Sequence, residues 1–152
     1  AKKYGIHGFV DLTASSYPYD MENEIKPSKA VGLLMQAGVP AEHITYTSDG
    51  NGSLPLFDEA GKLVKIDMGF PKSVFTEFRD TVLDENQPVE TALKFVTSNV
   101  GDILKLKQKG RIEVGKDADL VVLDADFQIS DLIARGQLFT HNYQRLKKGT
   151  YE

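Results

Sequence analysis

Apolar and polar positions in the first third of the chain predict a strand, a helix and a second strand. Residues 8–15 (GFVDLTAS) and 43–48 (HITYTS) are short β-prone runs. Between them, residues 28–38 carry apolar side chains at helical spacing, with Ser28 as the expected N-cap and a glycine at the end. The apolar positions of this helix are Val31, Leu34 and Met35. This order predicts a βαβ unit and therefore a parallel strand pair.

The middle of the chain predicts a hairpin or loop followed by two helices. Residues 55–69 (PLFDEAGKLVKIDMG) have a turn at residues 59–61. Residues 72–85 and 88–106 follow helical spacing, the second beginning at a proline that suits a first helical turn. The apolar stripes predicted to face the core are Val74, Phe78 and Val82, and Leu93, Val96 and Val100.

The pattern changes after Gly110, where short β-prone runs alternate with Gly and Asp turns up to residue 145. This texture predicts an antiparallel β segment after an α/β part. The chain of 152 residues is long enough for one domain or two small ones. It begins Ala-Lys-Lys without a methionine, so we expect a portion of a longer protein.

Composition excludes several functional classes. A net charge of −4 and a pI near 5.4 provide no basic surface for nucleic acid. The sequence has no apolar run near the ~20 residues of a membrane helix. It also lacks cysteine, which excludes disulfides, a thiol nucleophile and a zinc–thiolate site. We therefore expect a cytoplasmic protein without nucleic-acid or membrane partners.

The most informative stretch is HITYTSDGNGSLP, in which Asp49 follows a β-prone run and Gly50, Gly52 and Ser53 come next. A hairpin turn is the simplest interpretation, since Asp-Gly and Asn-Gly are common hairpin connections. However, the following LPLFDEAG is a poor partner strand. The alternative is an acid at the carboxyl end of a parallel barrel strand, where barrel enzymes place their chemistry.

Two other interpretations of this stretch fit less well. A calcium loop starting at Asp49 needs glycine at its sixth position and glutamate at its twelfth, where the chain has Leu54 and Ala60. A phosphate-binding loop needs a following lysine and a helix, and neither is evident after Ser53. The pattern therefore argues against both sites.

Residues 109–124 (KGRIEVGKDADLVVLD) resemble the C-terminal signature of the amidohydrolase superfamily. TSDGNGSLP, VDLTASS and the closing KGTYE resemble the isoaspartyl dipeptidase family within it. The resemblance implies an α/β fold: residues 1–109 would be the last part of a metal-dependent (β/α)8 barrel, and residues 110–152 the C-terminal part of a small β-sandwich domain. Strand seven would lie at residues 8–15 and strand eight at residues 44–49.

The same resemblance implies functional roles for the glycine-rich stretch. Asp49 would bind one of two divalent ions, expected to be zinc, and accept a proton from the attacking metal-bridging water. Ser53 would contact the carboxylate of a small isoaspartyl dipeptide, while Gly50 and Gly52 provide room for it. The family's other metal ligands lie on barrel strands that this chain does not include. We therefore expect the chain alone to be inactive, and the complete enzyme to be a homo-oligomer.

Other polar residues are assigned structural roles. His7, His43 and His141 are expected to be structural or solvated, because none lies at the carboxyl end of a predicted barrel strand. Asp117 and Asp119 are expected to serve a turn. Thr13, Ser15 and Ser16 end strand seven, where a loop role is expected and a substrate contact is the alternative.

Two other functions compete with an isoaspartyl dipeptidase. The first is another amidohydrolase activity, as in dihydroorotases, hydantoinases or deaminases, which share the C-terminal signature. The second is a non-catalytic scaffold that has kept the fold. The retained Asp49 with its glycine loop favours an enzyme, since a scaffold has no need of it.

Overall fold

The computed structural model describes residues 8–15 and 24–148, and the contacts divide the chain into two units, Ala1–Val100 and Gly101–Glu152. The first unit begins with a parallel pair, β1 (Val10–Thr13) and β2 (Ile44–Thr47), separated by helix α1 (Pro27–Gln36). Val10 is paired with Ile44 and Thr13 with Thr47. The parallel strands predicted on either side of a helix are therefore confirmed, although β2 ends two residues before Asp49.

The core of this unit lies between the parallel pair and the helices. Its buried side chains are Val31, Val39, Ile44, Tyr46 and Phe95. The rings of Tyr46 and Phe95 meet edge to face with centroids 5.7 Å apart, a favourable aromatic geometry. The period of two in β2 sends Ile44 and Tyr46 into this core and leaves Thr45 and Thr47 on the opposite face.

Helix α1 begins two residues earlier than an N-cap at Ser28 would place it, and without the predicted cap. Pro27 is its first residue and Lys26 its N-cap, and Ser28 lies inside the first turn with a fully buried side chain. The prediction of Ser28 as N-cap is therefore wrong. Proline suits the first helical position because its fixed φ matches the helix and the amide it lacks has no partner there.

A hairpin follows the glycine-rich stretch. β3 (Ser53–Phe57) pairs antiparallel with β4 (Leu63–Met68) around a turn in which Gly61 has φ +77°. Of the two structures predicted for residues 55–69, a hairpin or a loop, the chain forms the hairpin, and its first strand already begins at Ser53. β2 and β3 lie in different sheets, so the interpretation of Asp49–Ser53 as a turn between paired strands is wrong.

Three further helices follow the hairpin: α2 (Ser73–Leu83), α3 (Val89–Val96) and α4 (Ser98–Ile103). The single helix predicted from residue 88 to 106 is interrupted at Thr97, whose backbone leaves the helical region at φ −130° and ψ −88°. The predicted α3 stripe is also displaced, because Leu93 is 39% exposed while Ala92 and Phe95 are fully buried.

The second unit contains an antiparallel sheet of four strands, as predicted for the residues after Gly110. In order these are β5 (Leu120–Leu123), β6 (Ile129–Ala134), β7 (Gln137–His141) and β8 (Gln144–Arg145). The loop between β6 and β7 has positive φ at Arg135 and Gly136, the geometry that suits the twist of two-residue hairpins. Membership of a β-sandwich and a domain boundary after residue 109 stay predictions.

Candidate functional site

The site is built on a tight turn directly after β2. The amide of Gly52 donates to the carbonyl of Asp49 at 2.8 Å, which closes a four-residue turn. Asp49 and Asn51 both have positive φ, at 47° and 64°. Aspartate and asparagine tolerate this left-handed region better than most residues do. The turn therefore holds Asp49 just beyond the carboxyl end of a parallel strand.

Gly52 leaves space for the carboxylate of Asp49. A Cβ atom at Gly52 would lie 2.6 Å from Asp49 Oδ2, closer than real Cβ contacts come. Within residues 8–15 and 24–148, no side chain or amide donates a hydrogen bond to the Asp49 carboxylate, and the residue is exposed. This carboxylate is therefore available to bind a ligand or carry a proton.

The other two predicted site residues flank Asp49. Gly50 lies against Pro71 Cγ and Ser48 Oγ, each 2.9 Å from the position that a Cβ would occupy. Ser53 is the first residue of β3, opposite Met68, and is exposed. The turn thus brings Asp49, Gly50, Gly52 and Ser53 together, and their roles in substrate binding stay predictions.

Gly69 is a part of the site that sequence reasoning missed. It follows β4, and its carbonyl accepts from the amide of Asn51 at 2.9 Å while its own amide donates to the carbonyl of Gly52 at 3.0 Å. The sequence signal is a Gly-Phe-Pro triplet at residues 69–71, which marks a turn. Nothing in that triplet indicates that it contacts the turn around Asp49.

A second missed group lies on the face of β1 and β2 that points away from the core. Asp11 accepts hydrogen bonds from the hydroxyls of Thr45 at 2.8 Å, Thr47 at 2.6 Å and Thr13 at 3.3 Å. Threonine and aspartate at alternate positions of the two strands were the available signal. Thr13 thus serves this network, and Ser16 lies outside the described residues.

The predicted structural roles of two histidines agree with their contacts. His43 Nδ1 donates to the carbonyl of Gly8 at 2.8 Å, and its ring lies 5.0 Å from that of Phe9. His141 Nδ1 lies 2.6 Å from the Asp131 carboxylate in the second unit. His7 lies outside the described residues. None of these contacts brings a histidine to Asp49.

The donor set does not fit a metal ion by itself. Across residues 8–15 and 24–148, no group of three His, Cys, Asp or Glu side chains is arranged to hold one. Structural and catalytic zinc sites use three or four protein ligands, and this turn supplies one carboxylate. The turn thus supplies one side-chain ligand, and the described residues do not contain a complete metal site.

Asp117 and Asp119 contact Lys109 in the second unit. Lys109 Nζ lies 2.7 Å from the Asp117 carboxylate and also pairs with Asp119. Asp119 in turn accepts a hydrogen bond from the amide of Arg135 at 2.7 Å. The hydrogen bond from Lys109 lowers the pKa of the Asp119 carboxyl below its ordinary value. These contacts agree with the structural role predicted for both aspartates.

Sequence comparisons relate the chain to one family. The sequence model of the amidohydrolase family matches residues 13–135. A 5-methylthioadenosine/S-adenosylhomocysteine deaminase from Bacillus thuringiensis (strain Al Hakam) is 30% identical over 94 residues, which is 62% of this chain and 19% of that protein. The chain therefore spans about a fifth of the length of this curated relative.

Comparison with solved structures extends the likeness over nearly the whole chain. The β-aspartyl dipeptidase from Fervidobacterium islandicum AW-1, in complex with β-Asp-Leu dipeptide, is 30% identical with a TM-score of 0.79, covering 97% of this chain and 37% of that one. An N-acetylglucosamine-6-phosphate deacetylase from Pasteurella multocida has a TM-score of 0.60 at 14% identity, a likeness of fold alone.

Among the described residues, none of the helices has the length and apolar character needed to cross a membrane.

Proposed function

The chain belongs to the amidohydrolase family, and from that premise we propose that it forms the C-terminal part of a zinc-dependent hydrolase of isoaspartyl (β-aspartyl) dipeptides. The observation that carries the proposal is the likeness, over nearly the whole chain, to an enzyme solved with a β-aspartyl dipeptide bound. The proposed fold of the complete enzyme is a (β/α)8 barrel with β1 and β2 as its seventh and eighth strands.

Asp49 is proposed as the proton carrier of the reaction. Its carboxylate is exposed beyond the carboxyl end of β2, where parallel-barrel enzymes place their chemistry. A carboxylate in this place takes a proton from the attacking water and passes it to the leaving amine of the dipeptide. In the complete enzyme Asp49 would also be one ligand of a pair of divalent ions, which would supply a water of lowered pKa, and the other ligands would come from outside the described residues.

Ser53 is proposed to bind the substrate. Its exposed hydroxyl begins β3, on the hairpin that leaves the turn carrying Asp49. A hydroxyl there donates a hydrogen bond to the free carboxylate of the dipeptide, which orients the scissile amide toward Asp49. Gly50 and Gly52 are proposed to let the dipeptide backbone approach the turn.

The proposal is tested by measuring the hydrolysis of β-Asp-Leu by the native polypeptide that carries these residues. The metal content of the same preparation is measured as well. Asp49→Asn is expected to lower kcat by at least about 1000-fold, because general acid–base catalysis contributes up to about 10⁴-fold to the rate. Ser53→Ala is expected to raise KM by about tenfold, the cost of one hydrogen bond to a charged group. Asp126→Asn, a change of an exposed aspartate in the other unit, is the matched control. Unchanged turnover in Asp49→Asn would exclude the proposed role.

A deaminase is the second candidate, favoured by the sequence relatives. It is tested on the same preparation by incubation with 5-methylthioadenosine and measurement of released ammonia. The dipeptidase proposal expects no ammonia from this nucleoside and release of leucine from β-Asp-Leu. The reverse pattern would assign the chain to the deaminases.

A further inference from the structure

We propose that Gly69 is a positioning residue for Asp49, so that the hairpin β3–β4 holds the turn that carries the catalytic carboxylate. This inference rests on the proposed function of Asp49. It adds a residue outside the Asp49–Ser53 stretch and assigns a task to the hairpin.

Two backbone hydrogen bonds attach the turn to Gly69. Gly69 accepts from the amide of Asn51 at 2.9 Å and donates to the carbonyl of Gly52 at 3.0 Å. These two partners are the last two residues of the turn, so the turn is attached to the end of β4 at two points. The start of β3 follows the turn directly and is paired with the end of β4, so the hairpin places Gly69 next to the turn.

Gly69 also lies unusually close to the backbone of Asp49. A Cβ at Gly69 would lie 2.7 Å from the carbonyl oxygen of Asp49 and 3.2 Å from that of Ser48, compared with at least 3.4 Å in ordinary van der Waals contact. Both neighbours are backbone atoms, which cannot rotate away as a flexible side chain does. A methyl group at residue 69 therefore has to push the backbone of Asp49 aside.

Asp49 itself has a backbone conformation that needs support from its surroundings. Its φ of 47° is in the left-handed region, which costs free energy in a non-glycine residue unless the surroundings hold it. The attachment to Gly69 is such a constraint. Gly69 does not have positive φ, so alanine there introduces no torsional strain of its own and acts only through contact with Asp49.

The hairpin offers a matched control at its other end. Gly61 has φ +77° and nothing within 4 Å of a Cβ, so Gly61→Ala strains the hairpin turn without contacting Asp49. A merely structural role of the hairpin predicts that Gly61→Ala and Gly69→Ala lower activity alike. A positioning role predicts that only Gly69→Ala does.

The experiment measures kcat and KM for β-Asp-Leu in the native polypeptide, its Gly69→Ala and Gly61→Ala variants, and Asp49→Asn. Gly69→Ala is expected to lower kcat by about 100-fold with little change in KM, since a misplacement near 1 Å has that effect. Amide hydrogen exchange is the second readout. Gly69→Ala is expected to speed exchange at Asn51, and Gly61→Ala to leave it unchanged.

The outcomes separate this inference from the proposed function. Normal kcat in Gly69→Ala beside an inactive Asp49→Asn would overturn the role of Gly69 and keep that of Asp49. Full activity of Asp49→Asn would instead remove the proposed function. If Gly69→Ala does not fold, amide hydrogen exchange in the wild-type protein is the deciding measurement. Similar protection of the Asn51 and Gly69 amides would support the attachment of the turn to Gly69. An unprotected Asn51 amide would overturn the role of Gly69.

Discussion

The carboxylate of Glu77 in α2 caps α1 from 49 residues away, with Oε2 2.8 Å from the amide nitrogen of Ser28. Helix α1 has no side-chain cap of its own, so this contact satisfies one of the amides that a helix start leaves unpaired. Glu77 is fully buried, and the hydroxyl of Thr81 donates to its carbonyl at 2.6 Å. The start of α1 therefore depends on the packing of α2.

Replacement of Glu77 tests this long-range cap. Glu77→Ala is expected to lower the free energy of unfolding by about 2–3 kcal/mol, because the Ser28 amide loses its hydrogen-bond acceptor in a buried place. Glu77→Gln keeps an acceptor and is expected to lose about half as much. Urea unfolding measures both. The exposed Glu90→Ala in α3 is the control, expected to stay within about 0.5 kcal/mol of wild type.

Asn99 in α4 provides a second buried contact. Its amide group donates to the carbonyls of Ala41 and Ile44, both at 2.8 Å, at the start of β2. Asn99→Ala leaves two carbonyls without this donor and is expected to cost about 2–3 kcal/mol in urea unfolding. Gln36→Ala, which removes an exposed amide side chain, is the comparison. Equal stability of the two variants would contradict the role assigned to Asn99.

Phe95 and Phe57 test where the core lies. Phe95 is fully buried against Tyr46, whereas Phe57 on the hairpin is 58% exposed. Phe95→Ala is expected to destabilise the chain by about 3–5 kcal/mol, the usual effect of removing a buried ring. Phe57→Ala is expected to change stability by less than about 0.5 kcal/mol. Thermal unfolding of the two variants checks the difference.

The dependence of stability on pH shows whether the ion pairs of the second unit stabilise it. The hydrogen bond from Lys109 lowers the pKa of Asp119, and that from Arg111 lowers the pKa of Asp102. Since the folded pKa is the lower one, their stabilisation is fully present above the unfolded value of about 3.9 and is lost as pH falls through the folded pKa. We expect the melting temperature to fall below about pH 4. Asp119→Asn should weaken that fall, as should about 1 M salt, because these pairs are exposed.

The features of the candidate site that the sequence predicts are local ones. Asp49, the glycines and Ser53 are within five residues of one another, so a single turn brings them together whatever surrounds it. The hairpin turn near Gly61 was equally readable, because glycine supplies a positive φ wherever it stands. The resemblance to the amidohydrolases, which the family match confirms, suggested the roles proposed for these residues.

Predictions that depended on distant partners failed. The N-cap assigned to Ser28 was wrong because Glu77, far along the chain, supplies the acceptor instead. The exposure of Leu93 was missed because helical spacing defines a stripe but packing against β2 decides which way α3 is turned. Gly69 was missed because its contact with the turn exists only once β4 has paired with β3.

The sequence by itself determined the strand–helix–strand order at the start of the chain, the hairpin turn near Gly61 and the identity of the residues around Asp49, since these depend on neighbours along the chain. Only the tertiary structure decided the partner that caps α1, the direction in which α3 is turned and the attachment of Gly69 to the turn. Each of those joins residues well apart in sequence. Their formation depends on the packing and hydrogen bonding of the folded chain, which no local pattern records.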